Sequence, residues 1–195
     1  MQTKDHKMLA EFLTLQMGNT ISPIYLKAFI WGSVSPDRNP FTYLHGIMKG
    51  EKFHGHNYEN ILPVMRRLFH SIERRNYWGI KEYYRLGKLI HYGADAFTFP
   101  HNRQFWGTLK EHVRYELKLH KKFTETLQKQ KDFRQKGNSA DSFCDMKILH
   151  KEYLRQAGTL ENDCSYILRA AEILLLQEPA RSWNTGIIHC ERVTG

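Results

Sequence analysis

The sequence predicts an all-α fold, a single-domain helical bundle of about six or seven helices. Apolar residues recur three and four positions apart in several separate stretches, which is the spacing of one helix face. No segment shows the alternation of a half-buried strand, and no repeat of about 20–50 residues is visible. The 195 residues suit one domain, and a hydrophobic share of 41% supplies its core. Wholesale disorder is thereby excluded.

The predicted helices have start and stop signals in the sequence. Gly18 and Asn19 end the first, Ser22 and Pro23 begin the second as N-cap and first helical residue, and Pro100 separates the fourth from the fifth. In chain order the predicted helices cover residues 5–17, 23–34, 59–75, 79–97, 105–127, 142–156 and 160–177. Residues 1–178 are expected to form the helical domain, and residues 179–195 a loosely ordered tail.

Residues 35–57 predict a long ordered loop. The segment holds two prolines, three glycines and three histidines, and it shows no sustained period. Loops of this length in compact domains are usually functional.

The chain is basic, with 29 Lys and Arg against 20 Asp and Glu and a net charge of +9. This charge favours phosphate-bearing partners, including an anionic surface or nucleic acid, but does not choose between them. Cys144, Cys164 and Cys190 are odd in number and form no C-x-x-C pair, which favours a cytoplasmic setting. The first twenty residues lack the apolar stretch of a signal peptide, and no transmembrane segment is expected.

Two histidine–carboxylate pairs at helical spacing predict a metal cleft. His91 and Asp95 lie four positions apart on one helix, as do His112 and Glu116 on the next, and His101 stands between them. Two antiparallel helices that each offer such a pair make a bundle site with N and O ligands. Zinc favours this mixture, although iron or manganese would also accept it.

Each of these residues also has an explanation without metal. His91 and Asp95 would suit a hydrogen-bonded core pair, and His112 and Glu116 a solvated helix face. Asp37 follows Ser-Pro and is expected to sit in a turn after the second helix. For His6, the alternative is an exposed histidine near the chain terminus. Four further histidines are expected at the surface or in caps: His70, His120, His150 and His189. A solvated basic face is expected from Lys121, Lys122, Lys129, Lys131, Arg134 and Lys136.

Four segments together resemble the zinc-dependent phospholipase C family, which shares its fold and metal site with the zinc-dependent single-strand nucleases. They are HKMLA at His6, GSVSPD at Asp37, HYGADAFTFPH from His91, and HVRYE from His112. The match follows chain order from about residue 6 to residue 116. The resemblance implies an all-α bundle with a trinuclear zinc site at the bottom of a cleft.

The resemblance also implies which residues hold each ion. The ligands of the first zinc would be Asp37, a loop histidine, His91 and Asp95; of the second, His101, His112 and Glu116; of the third, His6 and the bridging Asp95. For the loop histidine, His56 is favoured over His54 and His45. Secreted members complete the third site with an N-terminal tryptophan, whereas this chain starts with Met1. We therefore expect at least two ions. The family's number is three, which this chain would reach if another group such as Asp5 completed the third site.

Clustered divalent ions suit hydrolysis of a phosphodiester, with metal-bound hydroxide as the nucleophile. Asp37 is the candidate catalytic residue, as acceptor of a proton from the attacking water. The substrate would be a phospholipid headgroup, a soluble diester or a single-stranded nucleic acid. Two alternatives stay open: a non-catalytic helical protein with structural zinc, and a basic nucleic-acid binder without metal.

Overall fold

The computed structural model describes residues 1–17, 21–38, 57–73, 75, 77–130 and 142–175. Within these residues it contains seven α-helices, one short 3-10 helix and no strand, which confirms the all-α bundle. The helices are α1 (Thr3–Gln16), α2 (Pro23–Arg38), α3 (Tyr58–Glu73), α4 (Ile80–Ala96), α5 (Leu109–Lys129), α6 (Ser142–Leu154) and α7 (Leu160–Leu175), with the 3-10 helix at Phe99–His101. The observed ends lie within a few residues of the predicted ones, except for the end of α2 and the start of α5.

Local hydrogen bonds fix where α1 and α5 begin. The main-chain N–H of Gln2 donates to Asp5 Oδ2 at 3.2 Å, and a capping box forms at Thr108, whose N–H donates to Glu111 Oε2 at 2.7 Å. Thr108 sets the start of α5, so the expected start at residue 105 is wrong. The 3-10 helix after α4 contains Pro100, which breaks the helical pattern as predicted.

Helix α2 runs through the Ser-Pro-Asp segment, so the expected turn is wrong. Pro36 has no N–H for the carbonyl of Gly32, but Ser35 Oγ donates to that carbonyl at 3.1 Å. The hydroxyl therefore replaces the missing main-chain bond. Asp37 consequently lies in the last turn of α2, one residue before the helix ends.

The core is built around α4, which is buried along most of its length and packs against α1, α2, α3 and α7. Helix α2 approaches α4 closely because glycines stand at the crossing. A Cβ atom at Gly32 would lie 2.1 Å from the carbonyl oxygen of Tyr84. None of the helices in the described part of the chain combines the length and the apolar composition of a membrane span. The expected tail, residues 179–195, lies outside the described residues.

Candidate metal centre

Asp95 lies where three histidines from separate elements converge. Its Oδ1 is 3.2 Å from Nε2 of His6 on α1, and its Oδ2 is 3.3 Å from Nε2 of His91 one turn earlier on α4. The Nδ1 atom of His101, on the 3-10 helix, is 3.9 Å from Oδ2. All four residues are buried, so this carboxylate is removed from water and shared among three potential metal ligands.

Glu116 organises a second group beside the first. Its Oε1 atom lies 3.1 Å from Nε2 of His112, one turn earlier on α5, and 3.4 Å from Nε2 of His101. His101 faces Asp95 through one ring nitrogen and Glu116 through the other, so it joins the two groups. The potential ligand atoms thus form two sets, and within each set they lie no more than 4.8 Å apart: His6, His91 and Asp95 in the first, and His101, His112 and Glu116 in the second.

The amino nitrogen of Met1 lies between the two carboxylates. It is 2.8 Å from Asp95 Oδ1 and 3.1 Å from Glu116 Oε1. Burial lowers the pKa of this amine, but the two carboxylates raise it to about 11. Burial likewise favours protonation of Glu116, whereas the ammonium, followed by His101 and His112, holds its pKa below the usual range. The carboxylates therefore create a strong cation site in the protein interior.

The first group offers atoms that a metal ion would use. Asp37 Oδ1 is 3.5 Å from Nε2 of His91, while Asp37 Oδ2 and His6 Nδ1 are buried without a hydrogen-bond partner among the described residues. Unpaired buried polar atoms are costly and rare in native proteins. Imidazole and carboxylate donors in this number match the preferences of zinc, so the residues present fit a zinc centre.

A main-chain carbonyl orients His91 for metal binding. The Nδ1 atom of His91 lies 2.8 Å from the carbonyl oxygen of Ser33 on α2. Because a carbonyl oxygen only accepts, Nδ1 carries the hydrogen, and Nε2, which faces Asp37 and Asp95, is the ring nitrogen that a metal ion would use. Histidines that bind a metal through one ring nitrogen usually donate the N–H of the other to a carbonyl or carboxylate in this way.

Asp163, which sequence reasoning missed, holds the second group in place from α7. Its buried carboxylate accepts from the main-chain N–H of Phe99 at 2.9 Å, from the Tyr115 hydroxyl at 3.0 Å and from the Tyr153 hydroxyl at 2.8 Å. Phe99 begins the 3-10 helix that carries His101, and Tyr115 adjoins Glu116. Burial raises the pKa of Asp163 to about 6, although these three donors lower it. Asp163 is therefore a positioning residue.

His150 is buried, so its expected surface or cap position is wrong. Its Nε2 lies 2.8 Å from Oδ1 of Asn102, whose Nδ2 donates to the carbonyls of Ala96 and Thr98. Asn102 directly follows His101. This second network ties the end of α4 and the 3-10 helix to α6.

Asp5 and His120 link α1 to α5 beside the metal centre. His120 Nδ1 makes a short hydrogen bond to the buried Asp5 Oδ1, so His120 is a partly buried partner rather than a surface residue. His70 is exposed and pairs with Glu73, as expected of a surface histidine. Lys122, expected on a solvated basic face, pairs with Glu161 at 2.7 Å. Lys121 and Lys129 are exposed, as expected of that face, whereas His189, Lys131, Arg134 and Lys136 lie outside the described residues. His6 is buried, so its alternative as an exposed histidine is wrong.

The predicted ligand residues meet in one place, from four helices and the 3-10 helix. Those that the structure describes are His6, Asp37, His91, Asp95, His101, His112 and Glu116. The favoured loop histidine His56, with His45 and His54, lies outside the described residues. The solvated-face interpretation of His112 and Glu116 is wrong, since their exposed side-chain fractions are 11% and 14%.

A protein-family model described as zinc dependent phospholipase C matches residues 5–160, most of the chain. The chain belongs to the zinc-dependent phospholipase C family. The matched range includes the described potential ligands from His6 to Glu116 and ends at the first residue of α7. No curated protein and no solved structure matches the chain. The family's dependence on zinc agrees with the donor set, and its name indicates a phospholipid-type substrate.

Proposed function

We propose that the protein is a zinc-dependent phosphodiester hydrolase of the phospholipase C type that acts on a phospholipid headgroup. The observation that carries the proposal is the shared position of Asp95, between one group containing His6 and His91 and the neighbouring group of His101, His112 and Glu116. Adjacent ion positions that share a carboxylate are typical of two-metal phosphodiester chemistry.

At least two ions would be held. His91, Asp95 and Asp37 would hold the first, with His56 as the proposed loop ligand, and His101, His112 and Glu116 would hold the second. His6, whose Nε2 is 3.2 Å from Asp95, would serve a third. When bound, such ions polarise a phosphoryl oxygen and lower the pKa of water so that hydroxide becomes available as the nucleophile.

The protein's own residues would orient the reaction. His91 is fixed by the carbonyl of Ser33, and the 3-10 helix that carries His101 is fixed by Asp163. Asp37, at the end of α2 with its Oδ2 unpaired among the described residues, would accept a proton from the attacking water.

A second candidate function, structural zinc in a non-catalytic bundle, makes a different prediction about ligand number. Structural zinc sites are closed by four protein ligands, whereas catalytic sites keep one position open. In the second group, three potential ligands lie within 4.8 Å of one another, His101, His112 and Glu116, while Asp95 Oδ2 stands 3.9 Å from His101. An ion held by these three side chains would keep a position open, which favours catalysis. A single-strand nuclease is the alternative activity for the same metal centre, and a cytoplasmic location stays a prediction.

Metal analysis combined with activity assays tests the proposal. Protein purified without chelator should carry at least two zinc ions per chain. It should hydrolyse a choline phospholipid and bis-p-nitrophenyl phosphate, lose this activity to chelator and regain it with zinc. A fully metallated protein that cleaves neither these substrates nor single-stranded DNA would favour structural zinc. Cleavage of single-stranded DNA alone would favour the nuclease.

A further inference from the structure

Helix α5 carries an exposed apolar stripe on its outer surface. Leu109, Val113 and Leu117 are 58%, 47% and 50% exposed and lie four positions apart, hence on one helix face. Trp106, 88% exposed, precedes the helix by three residues. We call Trp106, Leu109, Val113 and Leu117 the α5 stripe. Single exposed apolar side chains are ordinary, but a row of them on one helix face indicates an interaction surface.

The α5 stripe borders the metal centre. Leu109 precedes His112 by three positions, and Val113 precedes Glu116 by three, a spacing that makes side chains neighbours on a helix surface. His112 and Glu116 belong to the second group of potential ligands. A partner that covers the stripe therefore lies beside the metal centre.

A basic row flanks the other side of the stripe. Lys110, Arg114 and Lys118 are exposed, lie four positions apart, and each follow a stripe residue by one position. From one side to the other, the surface of α5 thus presents metal-centre residues, apolar residues and cations. Apolar and aromatic side chains next to Lys and Arg are typical of helices that lie in a lipid interface.

We propose that the α5 stripe and its basic row dock the protein on an anionic phospholipid bilayer, with the His112–Glu116 side of the metal centre facing the headgroups. That docking would bring the metal centre to its substrate rests on the proposed function, whereas docking itself requires no catalysis. The row of cations favours a surface of continuous negative charge. In an antiparallel twofold dimer through the same face, the cation rows of both copies would lie on the same side and repel.

Vesicle sedimentation of the zinc-loaded protein, kept cold and completed before measurable lipid turnover, tests docking separately from catalysis. We expect binding to vesicles of phosphatidylcholine with phosphatidylserine, weakened by salt, and weaker binding to phosphatidylcholine alone. At about 1 kcal/mol per cation, the triple variant K110Q/R114Q/K118Q should bind the anionic vesicles roughly a hundredfold more weakly. The variant W106S/L117S should lose about tenfold or more. The matched controls Leu15→Ser and Ile148→Ser, 79% and 64% exposed on other helices, should bind as wild type.

Activity assays of the zinc-loaded protein separate this proposal from the proposed function. If both hold, W106S/L117S keeps its rate on bis-p-nitrophenyl phosphate and loses rate on vesicles. Stripe-dependent vesicle binding without hydrolysis would support the docking face and reject the enzyme. Hydrolysis of vesicles by wild type and both variants at equal rates would reject the docking face and support the enzyme. A wild-type dimer that W106S/L117S converts to monomer in sedimentation velocity would identify the stripe as a dimer contact and overturn the proposal.

Discussion

Gly87 on α4 lies against the carbonyl oxygen of Phe29 on α2, so closely that a Cβ atom on Gly87 would stand 2.1 Å from that oxygen. One turn further along each helix, His91 Nδ1 binds the carbonyl of Ser33. The distance between α2 and α4 therefore determines whether the carbonyl reaches the ring. The packing of the core and the orientation of a proposed zinc ligand depend on the same helix crossing.

The variant Gly87→Ala should weaken both the fold and the metal centre. Its methyl group meets main-chain atoms that cannot rotate away, so the helices must separate, and overpacking of this kind costs about 1–3 kcal/mol or more of unfolding free energy. Urea unfolding and zinc content measure the two effects. The control Gly79→Ala has its nearest contact at 3.6 Å, an ordinary distance. Because Gly79 is the N-cap of α4, alanine there should cost at most about 1 kcal/mol of unfolding free energy and leave the zinc content unchanged. Equal effects of the two substitutions would show that the crossing is not tight.

Asp95→Asn should lose more metal than His6→Ala. Asp95 contacts both His6 and His91 and faces His101, whereas His6 touches only the first group. Loss of an outer-shell partner typically costs 10–100-fold in affinity, so loss of this shared carboxylate should cost about a hundredfold or more. Elemental analysis after purification without chelator measures the ions retained per chain. Equal retention in the two variants would mean that His6 serves an ion as strongly held as the others.

Asp163→Asn should loosen the second group although Asp163 touches none of its ligands. In the wild type, the main-chain N–H of Phe99 and the hydroxyl of Tyr115 donate to the carboxylate. In the variant the amide NH₂, itself a donor, would face one of these donors, and the donor left without an acceptor should cost about 1–3 kcal/mol of unfolding free energy. We expect weaker zinc retention at His101, measured by competition with a chelator. The control Glu152→Gln also removes a carboxylate that accepts from a tyrosine, Tyr166, but on the exposed side of the bundle. It should leave zinc retention unchanged.

The sequence predicted the parts of the site that depend on helix geometry alone. His91 with Asp95, and His112 with Glu116, are each one turn apart, so their proximity follows once the helices are recognised. The turn expected at Asp37 was wrong because the Ser35 hydroxyl donates to the Gly32 carbonyl, which receives no main-chain hydrogen bond from Pro36. The usual expectation that proline ends a helix does not anticipate this side-chain bond.

The supporting networks could not be predicted from spacing. Asp163 binds Phe99 across 64 positions, and His150 reaches Asn102 across 48. These contacts depend on how α6 and α7 pack, and a lone Asp or His in a helical segment gives no local signal of its partner. His150 was therefore expected at the surface, although it is 97% shielded in the structure, with an exposed fraction of 3%.

The buried position of His150 predicts a loss of stability in acid. Its ring stacks on Tyr58 and packs edge-on against Phe97, and burial lowers its pKa from 6.5 to about 4. The fold therefore favours the neutral ring, while the unfolded chain takes up a proton at about pH 6.5. The stabilisation is fully present above that pH and declines as the pH falls toward 4. Between pH 7 and pH 5 the free energy of unfolding should fall by about 2 kcal/mol through this residue alone.

Urea unfolding of wild type and His150→Gln at both pH values isolates this contribution. Glutamine can still donate to Asn102 Oδ1 but does not titrate. On acidification from pH 7 to pH 5, the free energy of unfolding of His150→Gln should therefore fall by about 2 kcal/mol less than that of wild type. The other ionisable groups are the same in both proteins, so their effect on the unfolding free energy cancels in the difference. The variant His70→Gln, at an exposed histidine, serves as the matched control, and its free energy of unfolding should fall as much as that of wild type between the two pH values. If His150→Gln and His70→Gln respond alike to pH, the ring of His150 is accessible to protons in the folded state and its burial does not govern acid stability.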